Sequence, residues 1–253
     1  MFQKNTNKFR EPRFFLFLTF LVLIAILIFY FISSMITSVG YQTFLDVKND
    51  LSSSASNNHG KITVFIDAGH GGEDPGAVAN GVIEKEINLS VANKLAVYLR
   101  LSGYEVILTR STDRLMYNDG EEDKKKYYDL KNRLKIAESV ENAIFISIHM
   151  NKYPLESCKG LQTFYSENHA ESAKFAQCIQ DSSKMLAPEN HRQIKPDQGL
   201  IFLLKNLKTP AILVECGFLS NQQDAALLSN SVYQDKLSFA LCCGVINFLK
   251  ERQ

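Results

Sequence analysis

The sequence predicts an α/β fold: a single domain over residues 61–253 with a twisted, mainly parallel β-sheet and helices on both faces. Two observations support this prediction. Short apolar runs such as Val64–Ile66 and Ala211–Val214 have the length and composition of buried strands. Stretches with apolar residues at helical spacing separate these runs, as from Ile87 to Leu99. Strands that alternate with helices favour a parallel sheet that is covered on both faces.

The individual elements follow from the same two patterns. The first helix begins near Lys85 and is predicted to end at Gly103, because glycine readily adopts the backbone conformation that closes a helix. Charged residues at 121–126 are most simply a solvated loop insertion. The other predicted elements are strands at Lys61–Asp67, Glu105–Thr109, Ile144–His149, Gly160–Tyr165 and Ala211–Glu215, and helices at Asp129–Val140, Ala170–Leu186 and Leu237–Leu249.

The N-terminal part of the chain has a different character. Residues 14–32 are uncharged and almost wholly apolar, and as a helix they would span roughly 28 Å, close to the thickness of a bilayer core. Residues 1–13 are basic, which predicts a cytoplasmic N-terminus, a transmembrane signal-anchor and an extracytoplasmic catalytic domain. Residues 33–60 are rich in small polar residues and are predicted to be a flexible linker. A signal peptide cleaved near residues 38–40 is the alternative.

Charge and cysteine usage exclude some functions. The net charge is only +1, so no overall field favours nucleic acid as a partner. The five cysteines are odd in number and have no CxxC spacing, so neither a disulfide framework nor a cysteine metal site is expected. Specificity must therefore come from a local site.

Four residues are candidates for that site. His70, His149 and Glu215 each follow an apolar, strand-like run, and Glu84 begins the first helical pattern. Ligands of open α/β sheets bind in the crevice at the ends of the strands. Two imidazoles and one carboxylate form a common catalytic zinc set, and a second glutamate beside them would act as general base.

Three of the four candidates also have a simpler interpretation. His70 lies in a glycine-rich turn, where a histidine can be incidental. Glu84 can be an ordinary acidic residue in a first helical turn, favoured by the helix dipole. Glu215 can cap the turn at Gly217–Asn221, although a carboxylate that closes an apolar strand is costly to bury unless it is paired.

Ordered motifs along residues 62–249 add a resemblance to these patterns. The chain resembles the zinc-dependent N-acetylmuramoyl-L-alanine amidases of the Amidase_3 family. The motifs that carry the resemblance are Asp67–Gly72 with Asp74–Ala77, Glu84-Lys85 with Asn88-Leu89, Leu108–Arg110 with Asp113, Ser147–Asn151, and Pro210–Glu215 with Gly217–Asn221. The stretch between Arg110 and Arg133 is longer than is usual in the family, which makes residues 114–128 an insertion, and Ala137-Glu138 replaces the usual Ala-Asn.

The resemblance assigns roles to the candidates. It implies that His70, Glu84 and His149 bind one Zn²⁺ and that Glu215 is the catalytic residue. It also suggests that Asn151 and Arg192 contact substrate. The single predicted anchor, the absence of wall-binding repeats and the stretch Gly160–Tyr165 are most similar to the spore-cortex type within the family.

The implied function is hydrolysis of the amide between the lactyl group of N-acetylmuramic acid and L-alanine in peptidoglycan. A spore-cortex role would place this cleavage before the action of a separate deacetylase, in the formation of muramic-δ-lactam needed for germination. A protein activator is a possible partner. Two alternatives stay open at this point: a catalytically silent, membrane-tethered wall-binding or activator protein, and a zinc peptidase that cuts within the stem peptide.

Overall fold

The computed structural model describes residues 62–252. The predicted basic segment, signal-anchor and linker, residues 1–60, all lie outside this range. Among the helices within residues 62–252, none combines the length and apolar character that a membrane crossing requires.

Six of the strands form one sheet, and the other two form a small hairpin. The strands in chain order are β1 (Thr63–Ala68), β2 (Val78–Ala79), β3 (Val82–Ile83), β4 (Glu105–Leu108), β5 (Ala143–Asn151), β6 (Gln162–Tyr165), β7 (Lys195–Pro196) and β8 (Ala211–Phe218). The helices are α1 (Glu84–Leu101), α2 (Lys125–Ala137), α3 (Ser172–Ser183), α4 (Phe202–Asn206), α5 (Gln222–Leu228) and α6 (Ser231–Glu251). All five predicted strands and all four predicted helices are confirmed, with shifted ends.

The sheet is parallel at its centre and mixed at one edge. Its strand order is β4-β1-β5-β8-β6-β7, and the first four of these strands are parallel to one another. Strand β6 is antiparallel to β8, and β7 is parallel to β6. The reversal has a simple cause. A parallel connection needs a crossover of a dozen or more residues, and the segment from β5 to β6 is a shorter loop without a helix.

Helices cover both faces of the sheet, as predicted. Alternate residues of one strand point to opposite faces, so Phe65 and Ile66 in β1 belong to different apolar clusters. The larger cluster contains buried apolar residues of α1, α3 and α6, including the stacked rings of Phe175 and Phe248, whose centroids are 4.6 Å apart. The smaller cluster packs α2 and α4 against the other face.

The insertion at residues 114–128 is more ordered than a solvated loop. Glu122–Lys124 form a 3-10 helix, and Lys125 begins α2. The prediction of a solvated loop at residues 121–126 is therefore wrong for residues 122–126. Asp129 accepts the Met116 N–H at 2.7 Å, and the side-chain amide of Asn132 donates to the Met116 carbonyl at 2.7 Å. Polar side chains of α2 therefore fasten the insertion to the domain.

Candidate active site

His70 lies two residues beyond β1 in an unusual backbone conformation. Its φ is +60°, a region that costs an ordinary residue about 1–2 kcal/mol. Two buried arginines hold this turn in place. Arg133 donates to the His70 carbonyl at 2.7 Å, and Arg110 donates to the carbonyls of Ala68 and Gly69 at 2.8 and 2.9 Å. The tertiary structure thus imposes the conformation that directs the imidazole.

Glu84 is the first residue of α1, and its carboxylate is fixed by three N–H groups. Oε2 accepts the backbone N–H of Ala77 at 2.7 Å. Oε1 accepts the Met150 N–H at 3.1 Å and the side-chain amide of Asn88 at 3.2 Å. These donors lie on three different segments of the chain, and together they hold the carboxylate in one position. The Glu84 side chain is only 4% exposed.

His149 lies near the end of β5 and completes a group of three metal-ligating side chains. Its Nδ1 is 2.9 Å from Glu84 Oε1, and the Nε2 of His70 is 3.3 Å from the same oxygen. The two imidazole rings meet edge to face with centroids 4.9 Å apart. One ligand atom from each residue lies within 4.8 Å of the others. Two imidazole nitrogens and one carboxylate oxygen at this separation could hold a zinc ion.

Close packing of glycines makes this convergence possible. A Cβ added to Gly69 would lie 2.2 Å from His149 Nε2. A Cβ added to Gly76 would lie 2.4 Å from Glu84 Oε2 and 2.6 Å from His70 Cδ2. Side chains at either position would displace the candidate ligands.

The second nitrogen of His70 has its own partner. Its Nδ1 lies 2.8 Å from Asp74 Oδ2, and Nε2 is left to face Glu84. A carboxylate behind a histidine commonly fixes the tautomer and orientation of a metal ligand. Burial alone would lower the pKa of His70, but the hydrogen bonds and charges of Glu84 and Asp74 raise it overall.

Electrostatics distinguish the two glutamates of the site. Burial would raise the pKa of Glu84, yet the hydrogen bonds and charges of His149 and His70 hold that pKa well below its usual range. At Glu215, burial outweighs the charges of His149 and His70, and the pKa rises to about 7. One carboxylate therefore stays ionised as a ligand requires, and the other can exchange a proton near neutral pH.

Glu215 lies in β8 directly opposite His149 in the neighbouring strand. Its Oε2 is buried, and no residue that the structure describes gives it a hydrogen bond. The alternative that Glu215 caps the following turn is wrong, because Asn221 and Asp224 do this. Asn221 accepts the N–H groups of residues 223 and 224, and Asp224 accepts that of Phe218. A buried carboxylate oxygen without a hydrogen bond, beside a metal-ligating group, indicates a functional role.

A buried ionic network underneath the site was not predicted from the sequence. Asp67 accepts hydrogen bonds from Arg133, Thr109 and Ser147 at 2.6–2.7 Å. Burial would raise the pKa of Asp67, but the charge of Arg133 and these hydrogen bonds lower it to about 2. Arg133 also contacts Asp129 at 2.9 Å. The network joins β1, β5 and α2 at the point from which His70 extends.

The two predicted substrate-contact residues lie in different surroundings. Asn151 ends β5 and is half-buried, and its carbonyl accepts the Leu219 N–H at 2.7 Å. The Arg192 guanidinium lies 4.6 Å from the centroid of the Phe218 ring. Arg192 and Cys216 both line a cavity of about 380 Å³. His70 and His149 line a second cavity, of about 260 Å³. Substrate contact by Asn151 and Arg192 stays a prediction.

Comparison with known families gives this arrangement a context. The model of the Amidase_3 family, described as N-acetylmuramoyl-L-alanine amidase, matches residues 64–247. The chain belongs to this family. It is therefore an N-acetylmuramoyl-L-alanine amidase, and the resemblance predicted from its motifs is confirmed.

Several known amidases are similar to this chain in sequence or in structure. The germination-specific N-acetylmuramoyl-L-alanine amidase of Bacillus subtilis is 37% identical over 195 residues, which are 76% of this chain and 81% of that protein. The CwlD amidase of Clostridioides difficile, solved in complex with the GerS lipoprotein, is 38% identical with a TM-score of 0.70, over 75% of this chain and 98% of that one. The catalytic domain of CwlV from Bacillus (Paenibacillus) polymyxa is 30% identical with a TM-score of 0.63, over 75% and 98% of the two chains.

Proposed function

We propose that this amidase uses one zinc ion, held by His70, Glu84 and His149, to cleave the lactyl–L-alanine amide of peptidoglycan. The observation that carries the proposal is the convergence of these three ligand atoms within 4.8 Å beside the buried carboxylate of Glu215. The silent wall-binding alternative would be supported by a missing ligand or base, and all four residues are present and adjacent.

The donor set fits zinc on chemical grounds. Imidazole nitrogen and carboxylate oxygen are common zinc ligands, and a catalytic site has three of them with the fourth position open. Asp74 behind His70 and Asn88 behind Glu84 supply the outer contacts that orient such ligands. When bound, zinc polarises a carbonyl group and lowers the pKa of water.

Glu215 supplies the proton transfer in this proposal. Burial raises its pKa to about 7 in the site without metal, and a cation bound beside it would favour the ionised form, so Glu215 can accept a proton from the attacking water. The same carboxyl then donates that proton to the departing amine of L-alanine. An amide nitrogen leaves poorly unless it is protonated, so one group that performs both transfers is sufficient.

Product analysis tests the reaction. We expect purified enzyme with zinc to release stem peptides that begin with L-alanine from peptidoglycan, identified by mass. The matched control is Glu215→Gln, which should bind zinc normally but lose about 10²–10⁴-fold in kcat. Fragments cut inside the stem peptide would favour the peptidase alternative. No product from zinc-loaded enzyme, alone or with its protein partner, would favour the silent one.

Metal analysis tests the ligand assignment separately. We expect about one zinc per chain in the unaltered protein and a clear loss in His149→Ala, because two ligands rarely retain zinc. Equal zinc content in both proteins would refute the assignment while leaving the amidase reaction open.

We further propose that the substrate is spore cortex. The supporting observation is the 37% identity to a relative named a germination-specific amidase. In this role the enzyme would strip stem peptides from muramic acid, and a separate deacetylase would complete muramic-δ-lactam. Deletion of the gene should abolish δ-lactam among the cortex muropeptides. Normal δ-lactam in the deletion strain would refute the cortex role alone.

The proposal includes a membrane location. Residues 14–32 would anchor the chain with residues 1–13 in the cytoplasm and residues 61–253 outside, between the membranes that surround a forespore. A flexible linker of roughly 28 residues would keep the enzyme within about 30 Å of the bilayer. A cleaved signal peptide is the alternative, and the mass of the mature chain distinguishes the two.

A protein partner is the last part of the proposal. It is motivated by CwlD of Clostridioides difficile, whose structure contains the GerS lipoprotein. We expect affinity-tagged enzyme from sporulating cells to retain a lipoprotein that raises its amidase activity. Full activity of the pure chain, with no increase on adding the retained fraction, would contradict the need for an activator.

A further inference from the structure

The cavity beside the metal-ligating group has one solvent-exposed cation at its mouth. Lys126, in the first turn of α2, lines the cavity of about 260 Å³ together with His70 and His149. Its side chain is 72% exposed, and Nζ lies 3.5 Å from Asp74 Oδ2. Asp74 also contacts His70 Nδ1 at 2.8 Å. The ammonium group is thus held close to the site by the carboxylate that orients a candidate ligand.

The other cation that lines this cavity is buried, and four of its five N–H donors are already bonded to the protein. Arg133 is 1% exposed, and its guanidinium donates to Asp67, Asp129 and the carbonyls of Ala68 and His70. Lys126 has three N–H donors and a single ion-pair contact, with Asp74, among the residues that the structure describes. It is therefore the group in this cavity that is able to bind an external anion.

The rest of the cavity indicates where such an anion would be. Leu130, Ile201 and Phe202 are half-buried and form an apolar wall. A ligand that fits would carry a negative charge at the mouth and aliphatic groups further in. An N-acetylated sugar has no charge, whereas the peptide beyond an alanine methyl group can carry free carboxylates.

We propose that Lys126 binds a carboxylate of the stem peptide and so makes the enzyme selective for an acidic second residue. The inference rests on the proposed function. It assigns the peptide, and not the glycan, to the cavity between α2 and α4. Lys126 lies within the insertion at residues 114–128, so this insertion supplies a determinant of substrate choice.

A matched pair of substrates tests the proposal. Two disaccharide–peptide fragments would differ only in the second residue of the peptide, with a free α-carboxylate in one and an α-carboxamide in the other. We expect the zinc-loaded enzyme to prefer the acid by roughly 3- to 10-fold in kcat/KM, the range for a partly solvated charge-assisted contact. The preference should shrink at high salt, because screening weakens exposed charge pairs.

Variants identify the responsible side chain. Lys126→Ala should abolish the preference through a higher KM for the acid, and Lys126→Glu should reverse it. The control is Lys131→Ala, which removes the same charge from the same helix at a residue whose Nζ lies over the Tyr127 ring. That variant should retain both the basal activity and the preference of the unaltered enzyme.

The outcomes separate this inference from the function on which it rests. Cleavage of both substrates without preference, or an unchanged preference in Lys126→Ala, overturns the role of Lys126 and leaves the amidase reaction intact. Failure of the zinc-loaded enzyme to release peptide from either substrate, with or without the lipoprotein retained from sporulating cells, overturns the proposed function and this inference together.

Discussion

Replacing Gly69 with alanine is a direct test of how tightly the candidate site is packed. The new Cβ would lie 2.2 Å from Nε2, 2.3 Å from Cε1 and 2.8 Å from Cδ2 of the His149 ring. Gly69 has no positive φ, so alanine fits its backbone conformation without strain. The perturbation is therefore confined to the imidazole.

The size of the effect follows from these distances. Ordinary contacts of a Cβ begin at 3.4 Å, so the ring would have to retreat by more than about 1 Å. A displacement of this size can cost roughly 10²-fold in rate, because reacting groups lose their alignment. The ring is the end of a side chain and can move without unfolding the core, so we expect less than about 2 kcal/mol of lost stability.

The assay combines zinc content, amidase turnover and urea unfolding. We expect Gly69→Ala to lose zinc and activity while it remains folded. The control is Gly120→Ala, where nothing lies within 4 Å of the added Cβ but φ is +88°. That variant should pay about 1 kcal/mol in backbone strain and keep its zinc. Normal zinc content and turnover in Gly69→Ala would refute the assignment of His149 as a ligand.

Three further predictions concern the surroundings of the site. Asn88→Ala removes a hydrogen bond to Glu84 and should weaken zinc binding about 10- to 100-fold in a competition with a chelator; unchanged affinity would contradict a positioning role. Arg133→Met leaves Asp67 and Asp129 without their buried cation and should cost about 3–5 kcal/mol in urea unfolding, whereas a loss below about 1 kcal/mol would show that the network contributes little. The pKa of Asp67 falls from 3.8 to about 2 on folding, so its ionised form contributes roughly 2 kcal/mol to the free energy of unfolding. This contribution is present above about pH 4 and is lost as the pH falls towards about 2. Asp67→Asn should therefore flatten the dependence of the free energy of unfolding on pH in that window.

Local patterns in the sequence were sufficient to predict the main strands of the central sheet and the long helices that cover it. Buried parallel strands are continuous apolar runs, and the amphipathic helices between them have clear spacing. The pairing partner of β6 could not be predicted in this way. Its pairing with β8 joins residues more than 45 positions apart, and no local signal encodes such a contact.

For the candidate site, the sequence indicated the four central residues but not the groups that orient them. His70, His149 and Glu215 lie near the carboxyl ends of three neighbouring central strands, and Glu84 begins a helix, so topology brings all four together. The groups that orient them were missed, although Asp74 lies only four residues after His70. An aspartate in a turn is common, and only the folded structure shows which oxygen faces an imidazole.

The short strand β7 at one edge of the sheet affects whether two molecules can associate through their sheets. An exposed strand edge offers backbone groups to which a second chain can add, and this is a frequent route to aggregation. Here the edge strand is β7, which has two residues, Lys195 and Pro196. Proline has no N–H to donate, and a lysine charge opposes the approach of an identical edge. This border of the sheet is therefore a poor template for strand addition.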